Sequence, residues 1–221
     1  MHIPDGFLNT ATMAGTAVVS AGGLANAVRV AGKQLGEKQV PLIGILAAFV
    51  FAAQMLNFPV AGGTSGHFLG AALVAILLGP WASVLILALV LVAQCFIFQD
   101  GGILALGANI FNMGIIGGLA SYGLYRLGVR LMGDNLRTRM ISGSFAAWAS
   151  VAMASAACAL ELAASGASPL GVVLPAMLGV HAIIGLGEAA VTLAALSLVR
   201  GTRPDLLKLQ EAKVKLYEES E

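Results

Sequence analysis

Long apolar runs joined by short polar connections dominate this sequence, and they restrict its fold more than any other feature. A helix needs about 20 mostly apolar residues to cross a bilayer, and backbone polar groups cannot face lipid unpaired, so each long run must be a helix. Seven runs are visible, at about Thr10 to Val30, Leu42 to Asn57, His67 to Leu78, Trp81 to Phe98, Ile103 to Leu127, Met140 to Ala164 and Leu170 to Val199. The third is short, either a tilted span or a broken helix, and Gly79-Pro80 marks its end because proline lacks an N–H and restricts the residue before it. Composition agrees, with 58% hydrophobic and 10% charged residues, where a soluble domain carries about 25% charged residues. The expected fold is an all-α integral membrane protein with seven transmembrane helices.

The charges report topology. Arg29, Lys33 and Lys38 follow the first run, Arg126, Arg130, Arg137 and Arg139 surround the connection between the fifth and sixth, and Arg200, Arg203, Lys208, Lys213 and Lys215 follow the seventh. With seven crossings all twelve basic residues fall on one face, which the positive-inside rule makes the cytoplasm. The N-terminus is then extracytoplasmic and the C-terminus cytoplasmic, in a multi-pass protein of the cell (inner or plasma) membrane. No basic n-region or clear cleavage site opens the chain, so the mature protein is expected to begin at Met1. Residues 1–200 form one membrane domain, with segment 1–9 folded into the bundle, and 201–221 form a short cytoplasmic tail. Nothing in the charge pattern tracks nucleic acid.

No GxxxxGK[ST] motif is present, so the chain shows no phosphate-cradling loop, and HExxH and GxSxG are missing as well. No catalytic residue is assigned, and no resident cofactor is expected. Cys95 and Cys158 sit inside apolar runs, which points to two inert thiols rather than a disulfide or a ligand pair.

Three histidines remain: His2, His67 and His181. The topology puts His2 and His67 on the outer face, His67 where the glycine-rich stretch from Pro59 to Gly66 re-enters the membrane. The Met1 amine, the His2 amide nitrogen and the His2 imidazole can close fused five- and six-membered chelate rings, giving three nitrogens in one plane, and His67 would complete the square. Planar nitrogen coordination favours nickel(II) or copper(II), whereas zinc prefers a tetrahedron and magnesium wants oxygen. An exposed, uninvolved His2 is the plain alternative. Pro4-Asp5-Gly6 supplies a turn that can fold these residues back into the bundle.

The opening Met1-His2-Ile3-Pro4-Asp5-Gly6-Phe7-Leu8, with His67 after the glycine-rich loop and seven spans, resembles the CbiM/NikM family, the substrate-capture (S) component of energy-coupling-factor (ECF) transporters for cobalt and nickel. The resemblance covers essentially the whole membrane region. It implies metal ligation by Met1, His2 and His67, and transport of nickel(II) or cobalt(II). Cobalt members typically open Met-His-Ile-Met-Glu-Gly, so Ile3-Pro4-Asp5 leans towards nickel. It also implies partners that supply the missing nucleotide site: a transmembrane coupling (T) component, two ATP-binding subunits and a small accessory membrane subunit.

Around that site, Asn57 and Gln54 are candidates to orient an imidazole, with Thr64 and Ser65 as further candidates, because metal-bound histidines usually donate their other ring nitrogen to a fixed acceptor. Asp5 reads as a turn residue whose carboxylate also favours a nearby cation. Ala17, Ala21 and Ala25, spaced by four, form a small-residue stripe suited to partner docking or to packing within the bundle. His181 and Glu188 share one face of the last run, and Glu161 lies near the end of the sixth. The competing function is a membrane-embedded, metal-dependent enzyme using His67, His181 and Glu188.

Overall fold

The computed structural model describes residues 1–36, 39–60, 64–204 and 206, with Thr64 described through its backbone. The chain is mostly helical. Helix α1 (Thr10–Gln34) starts where the Asn9 side chain accepts the Thr12 N–H at 2.8 Å, satisfying a donor the first turn leaves free. Helix α2 (Val40–Gln54) carries Pro41 in its first turn. It stops three residues before Asn57, which instead opens strand β1 (Asn57–Val60). Strand β2 (Thr64–His67) pairs with β1 antiparallel, Asn57 opposite His67. His67 therefore ends a strand rather than starting a helix.

Helix α3 (Ala71–Leu78) follows, and every one of its eight residues is buried. At about 1.5 Å per residue it reaches about 12 Å, against a hydrocarbon core of about 30 Å. It is a short central helix, which agrees with the broken helix of the two forms expected for the third run. Gly79, at φ 94°, turns the chain at once into α4 (Pro80–Phe98). The fifth run is helical in three consecutive pieces, α5 (Leu106–Asn109), a π-helical stretch (Ile110–Ala120) and α6 (Ser121–Met132). It thus starts three residues later and ends five residues beyond the expected limits. Helices α7 (Leu136–Ala164) and α8 (Leu170–Thr202) complete the chain. The tail expected over 201–221 begins inside α8, and from residue 207 onward it lies outside the described residues.

Among the described residues four helices, α1, α4, α7 and α8, are long and apolar enough to cross a membrane, and α2 is a shorter apolar helix. Large apolar side chains such as Val18, Ile45, Leu89, Phe96, Ile183 and Leu198 point outward, the arrangement expected of a protein whose solvent is lipid. The buried stripe of α8 runs Val173, Met177, His181, Gly185, Glu188, Thr192 and Leu196, recurring every three or four residues as one face of a helix does. Polar groups on that stripe face the interior.

Candidate metal centre

The first three residues are among the most buried in the molecule: Met1 and Ile3 are fully covered and His2 is 3% exposed. A chain end is normally frayed unless tied down, and this one is tied at every residue. The Met1 amine donates to the Ser65 carbonyl and lies 3.3 Å from Ser65 Oγ, which also accepts the His2 N–H at 3.3 Å. Asn109 brackets Ile3, its Oδ1 accepting the Ile3 N–H at 2.8 Å and its Nδ2 donating to the Ile3 carbonyl at 3.2 Å. The Gly102 N–H donates to the same carbonyl at 2.9 Å. Asp5 turns the chain by accepting the N–H groups of Ile103, Leu104 and Ala105 at 3.1, 2.8 and 3.2 Å. Its carboxylate anchors the start of α5, as a turn residue should.

This folding brings His2 onto His67, ring centroids 4.5 Å apart and planes 25° from parallel. Each ring has one nitrogen committed and one without a hydrogen bond. His2 Nε2 meets Gln94 Oε1 at 3.1 Å, which places the ring proton there and leaves the lone pair on Nδ1. His67 Nδ1 donates to the Phe68 carbonyl at 2.7 Å, leaving Nε2 buried and without a partner. Burial pushes the Met1 amine down to about 5 and His2 down to about 3, and holds His67 well below the usual imidazole value. Removing a cation from water is costly, so all three groups are neutral at pH 7 with nitrogen lone pairs available. Among the described residues no three His, Cys, Asp and Glu side chains form a metal-sized cluster.

Ser65 lies at the site, its hydroxyl touching the Met1 amine and the His2 N–H rather than the His2 or His67 ring. Asn57 donates to Asp100 Oδ2 at 3.3 Å, not to either ring. Gln54, also away from the rings, donates to the Leu69 carbonyl at 2.9 Å. The Thr64 side chain lies outside the described residues. The groups that do fix the site are Gln94 and Asn109. Single amides within otherwise apolar runs are the sequence signal that marks Gln94 and Asn109, since a buried amide without a partner is expensive.

His181 donates Nδ1–H to the Met177 carbonyl at 2.7 Å, and the Ser65 backbone lies against the same ring. Glu188 has both oxygens occupied, accepting the N–H groups of Leu69 at 2.8 Å and Gly70 at 2.7 Å. Glu161 accepts Asn112 Nδ2 at 2.6 Å. Cys95 and Cys158 are free and buried, with Cys158 Sγ 4.0 Å from the Met1 carbonyl. Ala17, Ala21 and Ala25 are all exposed, and Ala17 also lies where a Cβ on Gly107 would stand.

Comparison with known proteins gives a consistent result. Residues 2–206 match the CbiM family model, described as the cobalt uptake substrate-specific transmembrane region. A relative from Archaeoglobus fulgidus, named for fused nickel transport (NikMN), is 39% identical over 218 residues, which is 98% of this chain and 71% of that protein. The cobalt transport protein CbiM of Sorangium cellulosum is 36% identical over 172 residues, 76% of each chain. The crystal structure of a truncated transition metal transporter superposes with a TM-score of 0.83 at 36% identity, covering 90% of this chain and 98% of that one.

Proposed function

The chain belongs to the CbiM family of cobalt-uptake substrate-specific transmembrane regions, and from that premise we propose that it captures nickel(II), or else cobalt(II), for ATP-driven import. It is a transport subunit, with the ion as cargo. The observation that carries this reading is the convergence of a buried Met1 amine with two stacked imidazoles, each retaining one nitrogen without a hydrogen bond.

In this reading the Met1 amine, the deprotonated His2 amide, His2 Nδ1 and His67 Nε2 supply four nitrogens to the ion. Such a set suits a d⁸ ion in a plane, which favours nickel. The amide proton is lost on binding, so the metal competes with protons for its site. The site faces outward, where all twelve basic residues put the opposite, cytoplasmic face. Energy comes from partners: a coupling component, two ATP-binding subunits and a small accessory membrane subunit, assembled in the cell membrane. Residues 1–200 act as one membrane domain.

The decisive experiment compares nickel binding by purified protein whose first residue is verified as Met1 with protein carrying one added residue before it. The extension displaces the amine from the chelate and should abolish tight binding, as should His2→Ala and His67→Ala, with the helical fold retained. Undiminished affinity in the extended protein would falsify the chelate.

A further inference from the structure

The carboxylate of Asp100 has a position that the four-nitrogen set leaves unexplained. It sits in the turn after α4, where Gln99 has φ 56° and Gly101 φ 91°. That turn packs closely on the N-terminal segment: a Cβ on Gly101 would stand 3.4 Å from the His2 ring and 3.0 Å from Asn109 Nδ2. Asp100 Oδ2 is held by Asn57 Nδ2 at 3.3 Å, which leaves Oδ1 facing His2 Nδ1 at 3.2 Å. In the tautomer that donates Nε2–H to Gln94 Oε1, the two are not hydrogen-bonded. Two lone-pair atoms therefore face each other, one 97% buried and the other on a side chain 22% exposed.

Like-polarity atoms at this separation repel unless something positive lies between them. Two donors bonded at right angles to one ion at about 2.0–2.2 Å stand about 3 Å apart, so 3.2 Å matches the edge of a coordination shell. The pair also lines an open cleft of about 530 Å³, together with Ser65, Asp5 and Gln99. Solvent thus reaches Asp100 before it reaches His2.

We propose that Asp100 is the first protein ligand of the incoming divalent cation, taking the hydrated ion at the cleft mouth through Oδ1 and passing it to His2 Nδ1. The inference rests on the capture reading above. Oδ1 displaces one bound water, and His2 Nδ1 displaces a second from the adjacent position. The amine, the amide and His67 then replace further waters, the amide proton leaving to solvent in the cleft, and Oδ1 is released as the fourth nitrogen closes. A charged oxygen suits the hydrated ion early, whereas nitrogens suit it once desolvated. Asp100 therefore governs how fast the ion arrives, not which atoms finally hold it.

The test uses stopped-flow mixing of nickel(II) chloride with metal-free, full-length protein, following the absorption of the bound ion. Asp100→Asn should slow association fivefold or more while leaving the final absorption band unchanged in position. Asp100→Glu keeps a carboxylate at the mouth and should stay within fivefold of the unaltered protein. A smaller slowing in Asp100→Asn, a shifted final band, or equal slowing in Asp100→Glu would each overturn the role. Failure of the capture reading is seen separately, as nickel binding by the unaltered protein that ignores an N-terminal extension.

Discussion

Glu188 of α8 accepts the backbone N–H of Leu69 at 2.8 Å, so a carboxylate on the last helix holds the chain two residues beyond His67. The same carboxylate takes the Gly70 N–H, and Gln54 of α2 donates to the Leu69 carbonyl. Helices from opposite ends of the chain thereby clamp the short link between β2 and α3. The Phe68 carbonyl that fixes the His67 ring lies within that link.

Glu188→Ala leaves two buried N–H groups without an acceptor, at about 1–3 kcal/mol for each orphaned group. The melting temperature in detergent should fall, and nickel affinity should fall with it because the His67 ring loses its fixed frame. Glu188→Gln keeps one acceptor oxygen and should lie between the two. A melting curve and nickel titration on both variants check this ordering, and an unchanged affinity in Glu188→Ala would show that the clamp does not govern His67.

Gln94 acts on the other imidazole. Its Oε1 meets His2 Nε2, leaving Nδ1 as the nitrogen proposed to take the metal. Gln94→Leu removes that acceptor while preserving apolar bulk, so the ring is free to turn or change tautomer. Loss of such an orienting partner typically costs about 10–100-fold in metal affinity. Calorimetric titration with nickel should show that loss with little change in thermal stability.

Much of this arrangement is legible in the sequence, and the limits have physical causes. The apolar runs mark the helices because lipid forbids unpaired backbone. They also mislead at the ends of Leu42 to Asn57 and His67 to Leu78, where Asn57 and His67 pair in a hairpin. Pairing between strands is set by tertiary contacts that hydropathy does not report. The proposed trio of Met1, His2 and His67 follows from the chemistry of Met1-His2 and from a single re-entrant histidine. Asn57 and Gln54 are placed in the right region but serve Asp100 and Leu69, because which acceptor an amide reaches depends on tertiary geometry. Asp100 is hidden in a Gln-Asp-Gly-Gly turn that reads as an ordinary connection.

Gly102 shows how tightly that turn is matched to the N-terminal segment. A Cβ there would collide with the carboxylate and the backbone nitrogen of Asp5, and backbone cannot move aside cheaply. Gly102→Ala should push residues 1–5 away from the Gln99–Gly102 turn and weaken nickel binding, with most helical packing intact. Gly22→Ala meets nothing within 4 Å and serves as the neutral comparison. Nickel titration with circular dichroism distinguishes the two, and equal affinity in both variants would refute the fit.

Acid should release the N-terminal segment. Docked, the Met1 amine takes a proton only near pH 5 and His2 near pH 3; released into water, they return to about 8 and about 6.5. Between those limits the released state binds more protons, so the docked state loses ground as pH falls. Above pH 8 both states are neutral at these groups and the dependence disappears. In the metal-free protein, hydrogen-exchange protection of the peptide spanning residues 1–9, corrected for intrinsic rate, should therefore be level above pH 8 and decline from pH 8 to pH 5. His2→Phe, which removes one of the two titrating groups, should confine the decline to the amine's window and flatten the profile below pH 5. Protection that rises on acidification would mean that the amine is docked as its cation, and that the nitrogens are not held ready for a metal.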